Sequence, residues 1–246
     1  MKVCVCGCGW VTPGGWGRGP VPAEMLEMNT SLPRLPAGGR ESWRGGSRFG
    51  RLDLFSRVGV TAVALTLEDA GCAVGRPAED EDGRFHDIGL IVASASGSLK
   101  TDRDFFHSLL QSPGLASPAL FVYTLAAAFV GEAALRFGLA GVTLSLPESR
   151  VSGAAALEIA WEQLAAGDDT ALLVGINNLF AAEDPRPAGR FFQGAGFVLL
   201  RPLRGLESPA AGKYGVLQPD PAGRWLYAGR RCADLLALFA SLERRR

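Results

Sequence analysis

Apolar runs of strand length alternate with stretches of helical periodicity along most of the chain. Residues 2–8, 88–93, 142–146, 171–176, 196–200 and 214–217 are short apolar or alternating segments that end at turn residues, as strands do. Residues 52–70, 101–110, 123–137 and 152–166 carry apolar side chains at helical spacing. Strands that alternate with helices predict an α/β fold, in which helices cover a mixed, mainly parallel sheet.

Two regions depart from this alternation. Residues 16–50 are rich in Gly, Pro, Ser and Arg without a clear period, which predicts a long irregular excursion. Residues 230–246 place several leucines and a phenylalanine at helical spacing, which predicts an amphipathic helix. We therefore divide the chain into a domain of residues 1–218 and a C-terminal tail of residues 219–246.

Composition narrows the class of protein. The chain has 246 residues, of which 48% are hydrophobic and 20% charged, so it can bury a core and is not expected to be disordered. Its 25 basic and 25 acidic residues balance, which argues against nucleic acid as a partner. The most apolar stretch, residues 119–130, is well short of the ~20 residues that a membrane span needs. We expect a cytoplasmic protein.

The cysteines raise the question of a metal or redox site. Cys4, Cys6 and Cys8 have the spacing that places side chains on one face of a regular strand. Metal ligands more often come from turns at C-x2-C spacing, however, and His86 and His107 lie far away in sequence. We expect the three cysteines to be small buried side chains, and we expect neither a metal nor another cofactor.

Six segments, in order, resemble the β-ketoacyl synthases, the condensing enzymes of fatty-acid and polyketide synthesis. They are CGCGWVTPGG at 6–15, RLDLFSR with EDAG at 51–57 and 68–71, IGLIVASASG at 88–97, RFGLAG at 136–141, GAAAL with ALLVG at 153–157 and 171–175, and GAGFVLL at 194–200. The resemblance implies the thiolase-like fold, in which two similar halves pack together and the enzyme dimerises. This chain resembles the first half only.

The resemblance places the nucleophilic cysteine of the family at or beside Arg150. In condensing enzymes that cysteine begins a helix, where the dipole and backbone N–H groups favour the thiolate. No cysteine lies between Cys72 and Cys232, and a guanidinium cannot act as an acyl nucleophile. We therefore expect a degenerate site, with Arg150 in solvent or paired with Glu148 and with Ser152 as the cap of the next helix.

The resemblance also indicates which other catalytic residues of the family have no match here. The two catalytic histidines and the lysine of the family come from the second half, and neither histidine of this chain matches them.

One half of the fold, without the other, would expose an apolar face. We expect the amphipathic helix of the tail to cover part of that face and dimerisation to cover more of it.

Two functions from different classes are open at this point, so the sequence leaves open whether the chain is an enzyme. The first is a non-catalytic partner that shapes chain length, as a homodimer or as a heterodimer with a full-length ketosynthase, with acyl carrier protein as a further partner. Its candidate substrate or interface residues, in a segment that resembles the part reaching into the neighbouring subunit, are Phe121, Tyr123, Thr124 and Leu125. The second is an acyltransferase or hydrolase of acyl carrier protein or coenzyme A thioesters. Its nucleophile would be Ser149 or Ser152, which would need an adjacent base.

Overall fold

The fold, taken from a computed structural model, is built on a sheet with helices on both faces. The structure describes residues 1–26, 31–33, 35, 49–72, 87–111, 114, 116–148, 152–167, 171–181, 183–184, 192–203 and 213–243. The strands are β1 (Val3–Thr12), β2 (Gly15–Arg18), β3 (Ile88–Ser94), β4 (Thr143–Pro147), β5 (Ala171–Asn178), β6 (Gly194–Pro202), β7 (Gly215–Pro219), β8 (Trp225–Tyr227) and β9 (Arg230–Arg231). The helices are α1 (Leu54–Asp69), α2 (Leu99–Gln111), α3 (Pro118–Phe121), α4 (Ala128–Phe137), α5 (Ala154–Ala166) and α6 (Leu235–Ser241).

The strands form a mixed sheet in the order β4-β3-β5-β6-β1-β7-β8-β9, with β2 paired to β1. The predicted α/β class, with a mixed sheet covered by helices, is confirmed. Parallel pairing is confined to β4, β3 and β5, and the other described pairs are antiparallel. The parallel part is therefore smaller than the sequence pattern indicated. The reason is that antiparallel neighbours need no crossover helix, and β6 follows β5 directly in the order of described elements.

The central strand β1 carries a bulge that changes which face its cysteines occupy. The register with β6 shifts between Val5 and Gly7, so the alternation of faces is interrupted at Cys6. The Sγ atoms of Cys4 and Cys6 lie 3.5 Å apart, whereas Cys8 is buried in the core cluster of the opposite face. The expectation that all three share one face is therefore wrong, because it assumed a regular strand.

Helix α1 is buried on nearly every side, between the sheet and α4. It begins at Asp53, whose Oδ1 accepts a hydrogen bond of 2.9 Å from the N–H of Ser56. Glycine on β1 lets the helix approach closely, since a Cβ at Gly7 would lie 2.6 Å from the carbonyl oxygen of Thr66. These contacts explain why a capping carboxylate, Asp53, is followed by a long apolar run in α1.

The C-terminal end of α1 is fixed by a buried carboxylate. Asp69 Oδ2 accepts hydrogen bonds from the N–H of Cys8 at 2.9 Å and from the hydroxyl of Tyr214 at 2.6 Å. The other oxygen, Oδ1, accepts from Lys213 Nζ at 2.5 Å. This network joins α1 to β1 and to the start of β7.

Several helix boundaries differ from the sequence-based expectations. The helix expected at 123–137 is shorter in the structure, because residues 122–127 form turns and α4 begins at Ala128. Helix α2 begins two residues before Thr101, so Thr101 is not its cap, and the hydroxyl of Thr101 donates instead to the carboxylate of Asp53. Of the excursion expected at 16–50, residues 27–30, 34 and 36–48 lie outside the described residues. The described part begins with β2, which forms a hairpin with β1.

The C-terminal region confirms the expected amphipathic helix, in shorter form. Helix α6 is capped by Asp234, whose Oδ1 accepts from the N–H of Ala237 at 2.8 Å. Its side chains pack with those of α5 against one face of the sheet; the buried ones are Leu235, Leu238, Phe239 and the adjoining Leu242. Strands β8 and β9 precede it and extend the same sheet. The boundary at residue 218 stays a prediction.

Within the described parts of the chain, no helix has the combination of length and apolar character that a bilayer crossing requires.

The packing of α6 leads to a stability prediction. Phe239 is fully buried, and its ring lies 6.0 Å from that of Phe192. We expect Phe239→Ala to lower the free energy of unfolding by about 3–5 kcal/mol, because it leaves a cavity between α6 and the sheet. Ala240→Ser, at an exposed position of the same helix, is the matched control. Equal unfolding curves for the two variants in urea would contradict this packing.

Candidate functional site

A cleft of about 500 Å³ opens where β3 and β4 end. Its walls are residues 94–98, which we call the serine loop, the first turn of α2, Ala126 and Ala127 before α4, and residues 145–147 of β4. The carboxyl ends of parallel strands are where sheets of this class bind ligands. The cleft is therefore the natural candidate for a binding site in the described structure.

The serine loop is held in place by a buried amide. Asn178, at the end of β5, has no solvent exposure, and its Oδ1 accepts from the N–H of Ala95 at 2.7 Å and from Ser94 Oγ at 3.4 Å. From the opposite side, Ser96 Oγ accepts from the N–H of Leu179 at 2.8 Å. The hydroxyls of Ser94 and Ser96 thus fix the loop to β5.

One acidic side chain lines the cleft. Asp102, in the first turn of α2, accepts through Oδ2 from Ser98 Oγ at 3.2 Å, while the same hydroxyl lies 2.6 Å from the carbonyl oxygen of Thr124. Burial raises the pKa of Asp102, and the nearby charge of Asp53 adds to this, although the hydrogen bond from Ser98 opposes it. Ser98 and Asp102 therefore make this part of the cleft polar.

The predicted substrate or interface residues lie beside the cleft and do not line it. Phe121 and Leu125 are 62% and 70% exposed. The Tyr123 hydroxyl lies 3.3 Å from Glu132 Oε1, and Thr124 Oγ1 donates to the carbonyl oxygen of Phe121 at 2.8 Å. The segment is thus an exposed apolar turn with its polar groups engaged locally, and its role at an interface stays a prediction.

A carboxylate occupies the start of α5. Glu148 follows β4, its N–H donates to the carbonyl oxygen of Ser94 at 2.9 Å, and its Oε1 accepts from the N–H of Ala154 at 3.1 Å. Burial raises the pKa of Glu148, and Asp234 raises it further, against the lowering effect of backbone N–H groups at the start of the helix. The first turn of α5 therefore already holds an acidic group of this chain, at the helix end that favours anions.

Of the residues expected at or beside the nucleophile position, only Ser152 is among the described residues. Ser149 and Arg150 lie outside the described residues, and so does the expected pairing of Arg150 with Glu148. Ser152 is described, and the expectation that it caps α5 is wrong, because the cap is Gly153 in the left-handed conformation with φ of 73°. A Cβ at Gly153 would lie 2.6 Å from Leu235 Cδ1, so only glycine fits between α5 and α6. Where the chain is described, no base hydrogen-bonds to the hydroxyl of Ser152.

Sequence reasoning missed Asn178, Asp102 and the capping role of Glu148. Two adjacent amides at the end of a buried apolar strand were the available signal for Asn178, since a buried amide needs partners.

The described residues contain no group of three His, Cys, Asp or Glu side chains that could hold a metal ion.

Comparisons with known proteins identify the family. The model of the β-ketoacyl synthase N-terminal domain matches residues 42–187, which is more than half of the chain. The segments at 6–15 and 194–200 that also resemble the family lie outside this match. A search of curated protein sequences finds no significant match. The chain belongs to the β-ketoacyl synthase family.

Solved structures agree on the thiolase-like fold. The ishigamide ketosynthase/chain length factor aligns with a TM-score of 0.62 and 20% identity, covering 85% of this chain and 64% of that one. A β-ketoacyl synthase from Burkholderia phymatum STM815 gives 0.58 and 22%, with 88% and 63% covered. A ketosynthase in complex with its chain length factor from Xenorhabdus doucetiae gives 0.57 and 16%, with 82% and 79% covered. The chain spans less than two thirds of the length of the first two.

The position of Glu148 leads to a prediction about pH. Glu148→Gln keeps an oxygen for the N–H of Ala154 but removes the charge. Because the pKa of Glu148 is raised on folding, its stabilising contribution is present at low pH and is lost as the pH rises above the ordinary value of 4.5 and through the raised pKa. We therefore expect the free energy of unfolding of the wild type to fall, relative to that of Glu148→Gln, over this pH range. Urea unfolding of both proteins at a series of pH values measures the difference.

Two further variants complete that experiment. Glu148→Ala, which loses the cap, is expected to be about 1 kcal/mol less stable than Glu148→Gln. Glu158→Gln changes an exposed carboxylate on the same helix and is the matched control. A difference between wild type and Glu148→Gln that does not vary with pH would show that folding does not raise the pKa of Glu148, and equal stabilities of Glu148→Ala and Glu148→Gln would show that its side chain does not cap α5.

Proposed function

We propose that this chain is a non-catalytic, ketosynthase-like subunit that pairs with a full-length ketosynthase and helps to shape the acyl-chain pocket in fatty-acid or polyketide biosynthesis. The observation that carries the proposal is the carboxylate of Glu148 at the start of α5. The family resemblance puts the nucleophile at that helix end, and no cysteine lies between Cys72 and Cys232.

The electrostatics at α5 oppose acyl transfer. Condensing enzymes use the positive end of the helix and its N–H groups to stabilise a thiolate and the oxyanion that forms from the thioester. Here Glu148 Oε1 already accepts from the N–H of Ala154 at 3.1 Å. Glu148 thus occupies an N–H group that an oxyanion at this helix end would need, so the geometry supports a structural role for the start of α5.

The exposed apolar side chains support a partner subunit. Several large ones lie on α2, α3 and the turn that follows; they are Phe106, Leu109, Leu110, Phe121, Val122 and Leu125. Exposed apolar surface of this kind is typical of protein interfaces. We propose that it contacts a full-length ketosynthase in a heterodimer, with a homodimer as the alternative assembly, and that the pair receives its substrate on acyl carrier protein in the cytoplasm.

The cleft supports a role in accommodating the acyl chain. It has a volume of about 500 Å³, and its lining includes Ala126 and Ala127, whose side chains are small. Gly97 also lines the cleft and lies next to Ala126, since a Cβ placed there would be 3.3 Å from Ala126 Cβ. The width of the cleft thus depends on residues that larger side chains would fill.

The first test concerns covalent chemistry. We expect the isolated chain to form no acyl adduct when it is incubated with acyl carrier protein that carries a thioester-bound acyl chain, as measured by intact-protein mass spectrometry. A stable adduct that maps to Ser149 or Ser152, and is lost in the corresponding alanine variant, would establish the acyltransferase or hydrolase function instead.

The second test concerns pairing and chain length. Co-expressed with a full-length ketosynthase of the same organism, the chain is expected to elute as a complex and to alter the length of the products. Ala126→Leu narrows the cleft and is expected to shorten them, whereas the exposed Ala140→Leu, outside the cleft, is the control. If both variants give products of the same length, the cleft does not determine the length of the acyl chain.

A further inference from the structure

Two thiols meet at the bulge of β1. The Sγ atoms of Cys4 and Cys6 are 3.5 Å apart, at hydrogen-bonding distance for sulfur. The register with β6 passes from Val5 opposite Leu200 to Gly7 opposite Leu199, which leaves Cys6 as the extra residue of the bulge. Cys4 is fully buried, whereas Cys6 is partly exposed. Cys6 is therefore the member of the pair that lies nearer to solvent.

The surroundings favour a negative charge on this pair. Cys4 lies opposite Arg201 of β6, and its Sγ is 3.4 Å from the carbonyl oxygen of Arg201. The hydrogen bond from Cys6 and the charge of Arg201 together lower the pKa of Cys4 to about 7, against the effect of burial. The contact with Cys4, and then burial, raise the pKa of Cys6. Because the two thiols share one proton, the charge can move between the sulfurs.

We propose that Cys4 and Cys6 form a reversible dithiol–disulfide couple that small hydroperoxides oxidise. This inference is independent of the proposed function, because it concerns the opposite end of α1 from the cleft. The other cysteines are placed differently. Cys8 and Cys232 are buried in the core of the opposite face, and Cys72 lies 3.9 Å from Arg201 Nη2 with a pKa raised by burial.

The chemistry balances with peroxide as the oxidant. Once the proton that the pair shares has moved to Cys4, the thiolate of the partly exposed Cys6 attacks one oxygen of hydrogen peroxide, the O–O bond breaks, hydroxide leaves, and Cys6 becomes a sulfenic acid. Cys4 then attacks this sulfur, the S–O bond breaks, and the second oxygen leaves as water once protonated. Two thiols and one peroxide give one disulfide and two waters, so two electrons pass from sulfur to oxygen. The sulfurs need to close from 3.5 Å to about 2.05 Å, which the bent backbone of a bulge assists.

The experiment uses the whole chain, which is oxidised with hydrogen peroxide under native conditions. The protein is then unfolded in guanidinium chloride that contains N-ethylmaleimide, so that every remaining thiol, buried or exposed, is blocked, and the mass of the intact protein is measured. We expect two fewer thiols to be blocked, restoration of both by dithiothreitol, and an oxidation rate that increases as the pH rises through about 7. The charged or titratable groups that face the pair, among the described residues, are Arg201 and Cys72.

Variants assign the bond, because Cys4, Cys6 and Cys8 lie too close in sequence to be separated easily as peptides. Cys4→Ser and Cys6→Ser are each expected to abolish the reversible loss of two thiols, whereas Cys72→Ser and Cys232→Ser retain it. If the reversible loss of two thiols is absent in Cys72→Ser, the proposed pairing of Cys4 with Cys6 is wrong. Oxidation of Cys6 to a sulfinic acid with Cys4 still blocked by N-ethylmaleimide would overturn the couple itself.

Discussion

The contact between Glu148 and the first turn of α5 is the interaction on which the functional interpretation depends. The N–H of Glu148 is bound to Ser94, at the end of the neighbouring parallel strand, and its side chain is bound to Ala154. One residue therefore joins the edge of the sheet, the serine loop and the start of the helix. The side chain held there binds the N–H of Ala154 from within the chain, and the proposal of a non-catalytic subunit rests on this contact, because N–H groups at a helix start are what stabilise the negative charge of acyl transfer.

The rest of the site follows from the same parallel arrangement. Strands β4, β3 and β5 end side by side, so the serine loop, the end of β4 and Asn178 are brought together although they lie far apart in sequence. The buried amide of Asn178 binds the serine loop, which forms one wall of the cleft. On the opposite side of the sheet from α1, helix α6 fills the space between α5 and β6, with Leu235 pressed against the glycine that starts α5. The serine loop is thus held by buried contacts, whereas β4 and most of α2, which also line the cleft, are partly or fully exposed.

The sequence was informative where local patterns decide the structure. Buried strands, the helix expected at 52–70 and the amphipathic helix near the C-terminus were predicted because apolar spacing acts over a few positions. The bulge at Cys6, the role of Asn178 and the cap by Glu148 were not, because each depends on which strand lies alongside. Ser152 has the chemistry of a cap, but the left-handed Gly153 takes that position once Glu148 supplies the hydrogen bond.

A subunit that shapes a pocket without using its own nucleophile should never carry the acyl group. The most direct measurement is the distribution of acyl label in the complex of this chain with a full-length ketosynthase, loaded from acyl carrier protein and separated by intact-protein mass spectrometry. We expect the label on the ketosynthase alone. Label on this chain, within residues 145–152, would contradict a non-catalytic role for the start of α5.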